Sequence, residues 1–256
     1  MKVLGIFRYP VKSLLGEQLT TATVLTDGID GDRSWGLRDE ETGRILTARR
    51  EPVLLHAQGS LSTDGEPGVV LPDGTACVGA NAATDAALSA WLDRPVRLVP
   101  AAGEQNARAE FFADATDDAS TAIEWTMPAD RFVDAAPLLL LTTASLRHAA
   151  TLHPDGEWDV ARFRPNVLID VDGSSWAEDA WCRHEVRVGS VTLRPRQPCA
   201  RCTMVTRPQS GLTRDLDIYR VLARHHAGTF GVWTDVVAAG TVAVGDPVDV
   251  ADNPST

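Results

Sequence analysis

The segment EVRVGSVTLRPRQPCARCTMVT, residues 185–206, reads as an extended arm that folds about Gly189-Ser190 and runs on to two cysteines, Cys199 and Cys202. Its recurring β-branched residues favour a pleated, half-buried strand, and Met204–Thr206 carry the same extended character past the thiols. From Gly189 to Arg214 there are five arginines (Arg194, Arg196, Arg201, Arg207, Arg214) and no Asp or Glu, in a chain of net charge -11. Guanidinium groups stabilise a nearby thiolate and attract phosphate, so the stretch suits a soft metal ligand beside a bound anion. It equally suits a strand with a solvated basic face, and the residues leave both readings open.

Working outward, the same strand-and-turn punctuation recurs. Val3–Phe7 is a compact apolar run, and Gln18–Leu25 is rich in β-branched residues. Trp35–Leu37 leads through Glu41-Thr42-Gly43 into Ile45–Thr47, and Val69–Leu71 leads through Pro72-Asp73-Gly74 into Thr75–Val78, as two hairpins. Phe230–Val237, Thr241–Val244 and Val248–Val250 read as a closing meander. Helices are expected over Asp85–Leu92 with Thr84 as cap, from Thr142 or Thr143 toward Leu152, and over Asp215–His225. The fold class is therefore mainly β with a few helices (α+β), in two expected domains, residues 1–110, β-barrel-like, and residues 111–256, of mixed strands and helices. The acidic residues 114–118 read as a linker and residues 251–256 as a disordered end. No strand-helix alternation or glycine fingerprint marks a dinucleotide or P-loop fold.

With 44% apolar and 23% charged residues, the 256-residue chain has the composition of a globular protein. No apolar run reaches the roughly 18 residues of a membrane span, which predicts a cytoplasmic protein without a membrane partner. Four scattered cysteines read as thiols of a reducing compartment, and the negative charge disfavours nucleic acid. A CxxC pair suggests half a zinc site, a redox pair or cluster ligands, yet no second ligand pair, helix-opening context or four-thiolate set accompanies this one. A single thiolate still binds a metal when a cofactor brings the other donors, and cations then neutralise that cofactor. Lys12 stands out because it and Lys2 are the only lysines among 24 basic residues, and an ammonium suits point contact with phosphate. The remaining guanidinium candidates cluster at loop-strand junctions, in Asp32-Arg33-Ser34-Trp35, Thr47-Ala48-Arg49-Arg50 and Arg162-Phe163-Arg164-Pro165-Asn166. The seven tryptophans read as core or lobe-interface residues, and His148, His153 and His184 as surface or capping groups.

Taken in order, Tyr-Pro-Val-Lys-Ser at 9–13, Gly-Asp-Arg-Ser-Trp at 31–35, Thr-Ala-Arg at 47–49, Arg-Phe-Arg-Pro-Asn at 162–166, Cys-Ala-Arg-Cys at 199–202 and Val-Gly-Asp-Pro-Val at 244–248 resemble the MOSC family. They resemble in particular its two-part members with an N-terminal β-barrel domain, the amidoxime-reducing components and their bacterial relatives, which implies that residues 111–256 form a second β-barrel, the MOSC domain. The resemblance implies a molybdenum cofactor of the molybdopterin type, with Cys202 as metal ligand and catalytic thiolate. It implies that Lys12, Ser13, Arg33 and Arg164, with Ser145 and Asn166, surround the cofactor, and it sets Asp179 near the pocket. The implied activity is an oxidoreductase for N-hydroxylated compounds (hydroxylamines, amidoximes, N-hydroxylated bases), a detoxification role fed by a separate electron-transfer protein. The alternative is a non-catalytic cofactor carrier or sulfur-handling protein. The membrane anchor of the mitochondrial relatives and an appended ferredoxin module are not found in the sequence.

Overall fold

Val186–Val188 pairs antiparallel with Val191–Ala200 about Gly189, so the arm folds as its pattern predicts as far as the first thiol. Gly189 has φ 58°, and a Cβ there would meet Asp246 Oδ2 at 2.2 Å, so the turn accepts no larger residue without displacement. Past Ala200 the expectation fails. Thr203–Thr206 is a short 3-10 helix, closed by Val205 N donating to Cys202 O (3.3 Å) and Thr206 Oγ1 to Thr203 O (2.7 Å). These local bonds override the β-branched preference.

The computed structural model describes residues 1–104, 106–112, 120–128 and 130–251; the expected linker at 114–118 and the end at 252–256 lie outside the described residues. Its main sheet has eight strands, in the order Val248–Val250, Val186–Val188, Val191–Ala200, Thr229–Ala238, Leu138–Thr142, Val167–Asp170, Lys2–Arg8, Glu17–Leu19. Leu138–Thr142 and Val167–Asp170 are parallel, joined through helices α2 (Thr143–Leu152, with α1 at Ala82–Leu92 before it) and α3 (Val160–Phe163). Val3 N donates to Asp246 O (2.9 Å) and Gly245 N to Val3 O (2.8 Å), which curls the sheet until its first strand meets the start of its last. Inside lies a core of Val3, Ile6, Leu140, Ile169, Val186 and Val232 with their neighbours.

Strand pairing crosses the division expected at residue 110. Lys2–Arg8 sits inside the sheet of the C-terminal half, and Thr21–Leu25 pairs with Gly240–Ala243. The closing meander is therefore corrected: its last two strands pair with distant partners rather than with each other. Around residues 35–100 a second lobe packs Leu37, Leu54, Leu55, Leu88 and Leu98. Here Trp35–Asp39 takes Val96–Pro100 as its strand partner, and the expected hairpin forms as a short antiparallel turn, with Arg38 opposite Ile45, Asp39 N donating to Arg44 O (2.9 Å) and Leu46 N to Leu37 O (2.8 Å). The hairpin of Pro67–Val70 with Ala76–Val78 forms as read. Asn81, not Thr84, caps α1, accepting from Ala83 N and Thr84 N at 3.1 Å, while Thr142 caps α2. The last helix, α4, spans Asp217–His225. No helix among the described residues is long and apolar enough to cross a membrane.

Arg162 and Arg164 stand two residues apart and do different work. Arg162, 1% exposed, donates to Glu157 O (2.8 Å), Arg207 O (3.2 Å) and Thr213 O (2.7 Å) and pairs with Glu157 Oε2 (3.0 Å). It thereby clamps the segment after the thiols to α3. Truncation strands several buried carbonyls and leaves Glu157 without its partner. Arg162→Ala is expected to lose about 3 kcal/mol and to lower Tm by roughly 6–12 °C in a thermal melt. A shift within about 2 °C would show that the clamp is dispensable.

Candidate functional site

The loop Tyr9-Pro10-Val11-Lys12-Ser13 is pinned by the loop that precedes Trp35. Arg33 N donates to Tyr9 O (2.8 Å), Trp35 N to Pro10 O (3.0 Å) and Lys12 N to Trp35 O (2.8 Å). Beneath them Asp32, 0% exposed, accepts from Tyr9 N (2.7 Å), Asn166 Nδ2 (3.1 Å) and Arg33 Nη1. A carboxylate withdrawn from water needs both an opposite charge and donors, and this one has both. Asn166 Oδ1 accepts from Leu139 N (3.1 Å), so the same hub ties the N-terminal loops to the mouth of the parallel strands.

Above this hub is a cavity of about 140 Å³ whose wall includes Lys12, Ser13, Arg33, Arg49 and Arg164. Ser13, Arg33 and Arg164 have φ of 69°, 50° and 53°. Each such residue costs about 1–3 kcal/mol and persists only where its surroundings impose it. Arg164 donates to Leu14 O (2.7 Å) and lies 4.2 Å over the Tyr9 ring, with no carboxylate partner among the described residues. Burial pushes it down to about 10, and burial likewise pushes the Tyr9 hydroxyl up to about 12. Lys12, also lowered by burial, donates to Phe132 O (2.9 Å) and Asp134 Oδ1 (2.7 Å). For Asp134, desolvation by the wall opposes ionisation, but Arg49 and Lys12 outweigh it and hold the carboxyl low. The wall keeps a surplus of positive charge, an environment complementary to phosphate.

Cys202 is half-buried at the edge of this wall, within electrostatic reach of Arg49, whose guanidinium pairs with Asp134. It also lines a second cavity, of about 430 Å³, walled by Phe111, Phe112, Trp125 and Trp233. The thiol thus stands where a cationic chamber meets an apolar one. Among the described residues neither Cys199 nor Cys202 belongs to a group of three or more His, Cys, Asp or Glu donors able to share one ion. A metal held here draws its other ligands from a bound molecule.

Of the residues expected at a site, Lys12, Ser13, Arg33, Arg164, Asn166 and Cys202 line the one cavity. Ser145 does not. It is fully buried at the start of α2, hydrogen-bonded to Glu178 Oε2 (2.5 Å) and Ser175 O (3.2 Å). Nor does Asp179 line the cavity: it pairs with His226 Nε2 (2.5 Å), whose ring stacks on Trp176 at 4.2 Å. The arginine-rich segment contributes less than expected. Arg194 pairs with Glu185 (2.7 Å) and Arg196 with Asp235 (3.4 Å), whereas Arg201 reaches the wall but donates to Phe230 O (2.8 Å) and Phe163 O (2.9 Å). The cavity's cations come mainly from the N-terminal loops. Reading by residue type missed Asp134, Trp125 and Trp233; Arg49 was visible as a candidate guanidinium but not as the partner of the thiol.

The family model described as MOSC N-terminal beta barrel domain matches residues 1–119, and the one described as MOSC domain matches residues 129–249. Mitochondrial amidoxime-reducing component 1 of Mus musculus is 28% identical, over 96% of this chain and 81% of that protein. Molybdenum cofactor sulfurase of Homo sapiens is 23% identical, over 90% of this chain and 29% of that protein. Among solved structures, the YuaD protein of Bacillus subtilis is similar at a TM-score of 0.47 and 14% identity, over 97% of this chain and 94% of that one.

The Asp179–His226 pair generates a pH dependence. Desolvation lowers the His226 pKa, but its hydrogen bonds to the Asp179 carboxylate and the Thr229 carbonyl more than offset it and the net shift is upward. A raised histidine stabilises the fold fully below its unfolded pKa near 6.5, and that stabilisation disappears as pH rises through the folded value. The pair is partly solvated and worth under about 1 kcal/mol, so between pH 6 and 8.5 wild type is expected to lose about 1–2 °C more in Tm than Asp179→Asn. Parallel Tm–pH curves for the two proteins would remove His226 from the titration.

Proposed function

Because the chain belongs to the MOSC-domain family, with a MOSC N-terminal β-barrel domain ahead of the MOSC domain, we propose that it is a molybdenum cofactor-dependent reductase of N-hydroxylated compounds. Electrons come from a separate protein, in a reducing compartment where its four cysteines remain thiols, as in the cytoplasm. The observation that carries the reading is the half-buried Cys202 thiol at the edge of a chamber whose buried Arg164 lacks a carboxylate partner among the described residues. That donor set fits the cofactor. Lys12, Arg33 and Arg164 meet a phosphate and Ser13 offers a hydroxyl, while Asn166 holds the chamber floor and Cys202 supplies the thiolate. When bound, the cofactor supplies two-electron oxygen-atom transfer chemistry.

The chain's own groups do the rest. Arg49, charged and anchored by Asp134, sets a guanidinium beside the Cys202 sulfur. Asp134 stays ionised beside Lys12 and Arg49 and fixes both cations in place on the chamber wall. Overall, each N–OH group reduced takes up two electrons and two protons, keeps its nitrogen as N–H, and releases one water. Similarity to cofactor sulfurases supports a second reading, a carrier or sulfur-handling protein that binds the cofactor and passes it on.

Purified wild type is expected to contain molybdenum and fluorescent pterin near one per chain and to reduce benzamidoxime with reduced viologen. Cys202→Ala should lower that rate at least about 100-fold, and Arg164→Met should cut retained pterin by about tenfold. Pterin that binds and leaves without any reduction favours the carrier, whereas stoichiometric zinc with no pterin overturns both readings.

A further inference from the structure

The second cavity is walled mainly by aromatic rings. Its volume is about 430 Å³, and its aromatic walls are Phe111 and Phe112 from the strand Arg108–Phe112, Trp125 from Ala122–Thr126, and Trp233 from Thr229–Ala238. An apolar cavity of about 150 Å³ already holds one benzene ring, so this one has room for a one- or two-ring molecule. The walls are fixed from behind. Trp125 packs on the cluster of Ile45, Val99 and Phe132 and lies 5.8 Å from Lys12 Nζ, while Arg50 lies 5.0 Å over the Phe112 ring. The polar groups of its wall, Arg49, Asp134, Arg201 and Thr203, share it with Cys202, with Arg201 and Thr203 flanking the thiol in the chain and Arg49 paired to Asp134. A guest with a flat apolar body and one polar end therefore has a single favourable orientation, ring among the aromatics and polar end toward the thiol.

We propose that this vestibule is the substrate subsite and that it selects planar aromatic or heteroaromatic N-hydroxylated compounds of one or two rings, with Trp125 as the principal specificity residue. The assignment rests on the reductase reading for its chemistry but not for its binding. Two strands of one hairpin and one strand of the main sheet build the subsite jointly, so selectivity resides in a part of the chain that holds none of the thiols. Small hydroxylamine, which has no ring to seat, gains nothing from these walls.

The test compares benzamidoxime with hydroxylamine. In Trp125→Ala the ratio of their kcat/KM values is expected to fall about tenfold or more, and Trp125→Phe should restore most of it, because a ring contact is what was removed. Phe111→Ala, on the neighbouring strand, is expected to act in the same direction. Independently of turnover, benzamidoxime should quench tryptophan fluorescence of the purified protein, with Kd raised about tenfold in Trp125→Ala. An unchanged ratio together with an unchanged Kd overturns the subsite, whatever the rates. Binding that depends on Trp125 without reduction of either compound upholds the subsite and overturns the reductase reading.

Discussion

One buried carboxylate organises the molecule. Asp32 accepts from the Tyr9 backbone, from Asn166 and from Arg33, and so brings together the loop after the first strand, the loop before Trp35 and the entrance to the parallel strands. Its main chain is held as well, since Arg131 Nη1 donates to Asp32 O (3.1 Å) and Arg131 also pairs with Asp27. An ion of this kind is stable only while every donor is present, which makes the junction all-or-none. The left-handed backbone at Arg33 is affordable because this junction fixes it from both sides.

The electrostatics of the cavity follow from that junction. The chain as a whole carries net charge -11, yet the wall near Cys202 concentrates cations, and Arg164 meets a carbonyl and a phenol ring with no carboxylate paired to it among the described residues. A guanidinium at that depth without a carboxylate partner opposes folding unless an anion arrives, so binding of any anion there and stability of the site are linked. Asp134 divides the chamber from the vestibule, neutralising Lys12 and Arg49 where an apolar guest must pass.

Much of this was legible in the sequence where the signal was local. Turn residues announced the strand ends, the lone internal lysine marked a position on the cavity wall, and the ordered motifs from Tyr9 to Asn166 and Cys202 gathered the wall. Charge counts misled where partners were distant: Arg201 and Arg164 look alike in sequence, but the first is spent on carbonyls of Phe230 and Phe163 and the second is not. Ser145 reads as a hydroxyl available to a ligand until Glu178, more than thirty residues later, claims it. Trp125 and Trp233 looked like core because periodicity registers burial, not which side of a wall is hollow. The short helix after Cys202 was hidden because its hydrogen bonds, not its β-branched residues, decide its conformation.

The placement of Lys2–Arg8 has a further consequence. This segment is synthesised long before its neighbours in the sheet, Val167–Asp170 and the residues around Asp246. Until nearly the whole chain has been synthesised, its apolar side chains have no permanent seat, whereas the lobe built from residues 35–100 can consolidate early. Barrel closure is thus a late, long-range event in biogenesis, and the nascent strand depends on being shielded from other nascent chains in the interval.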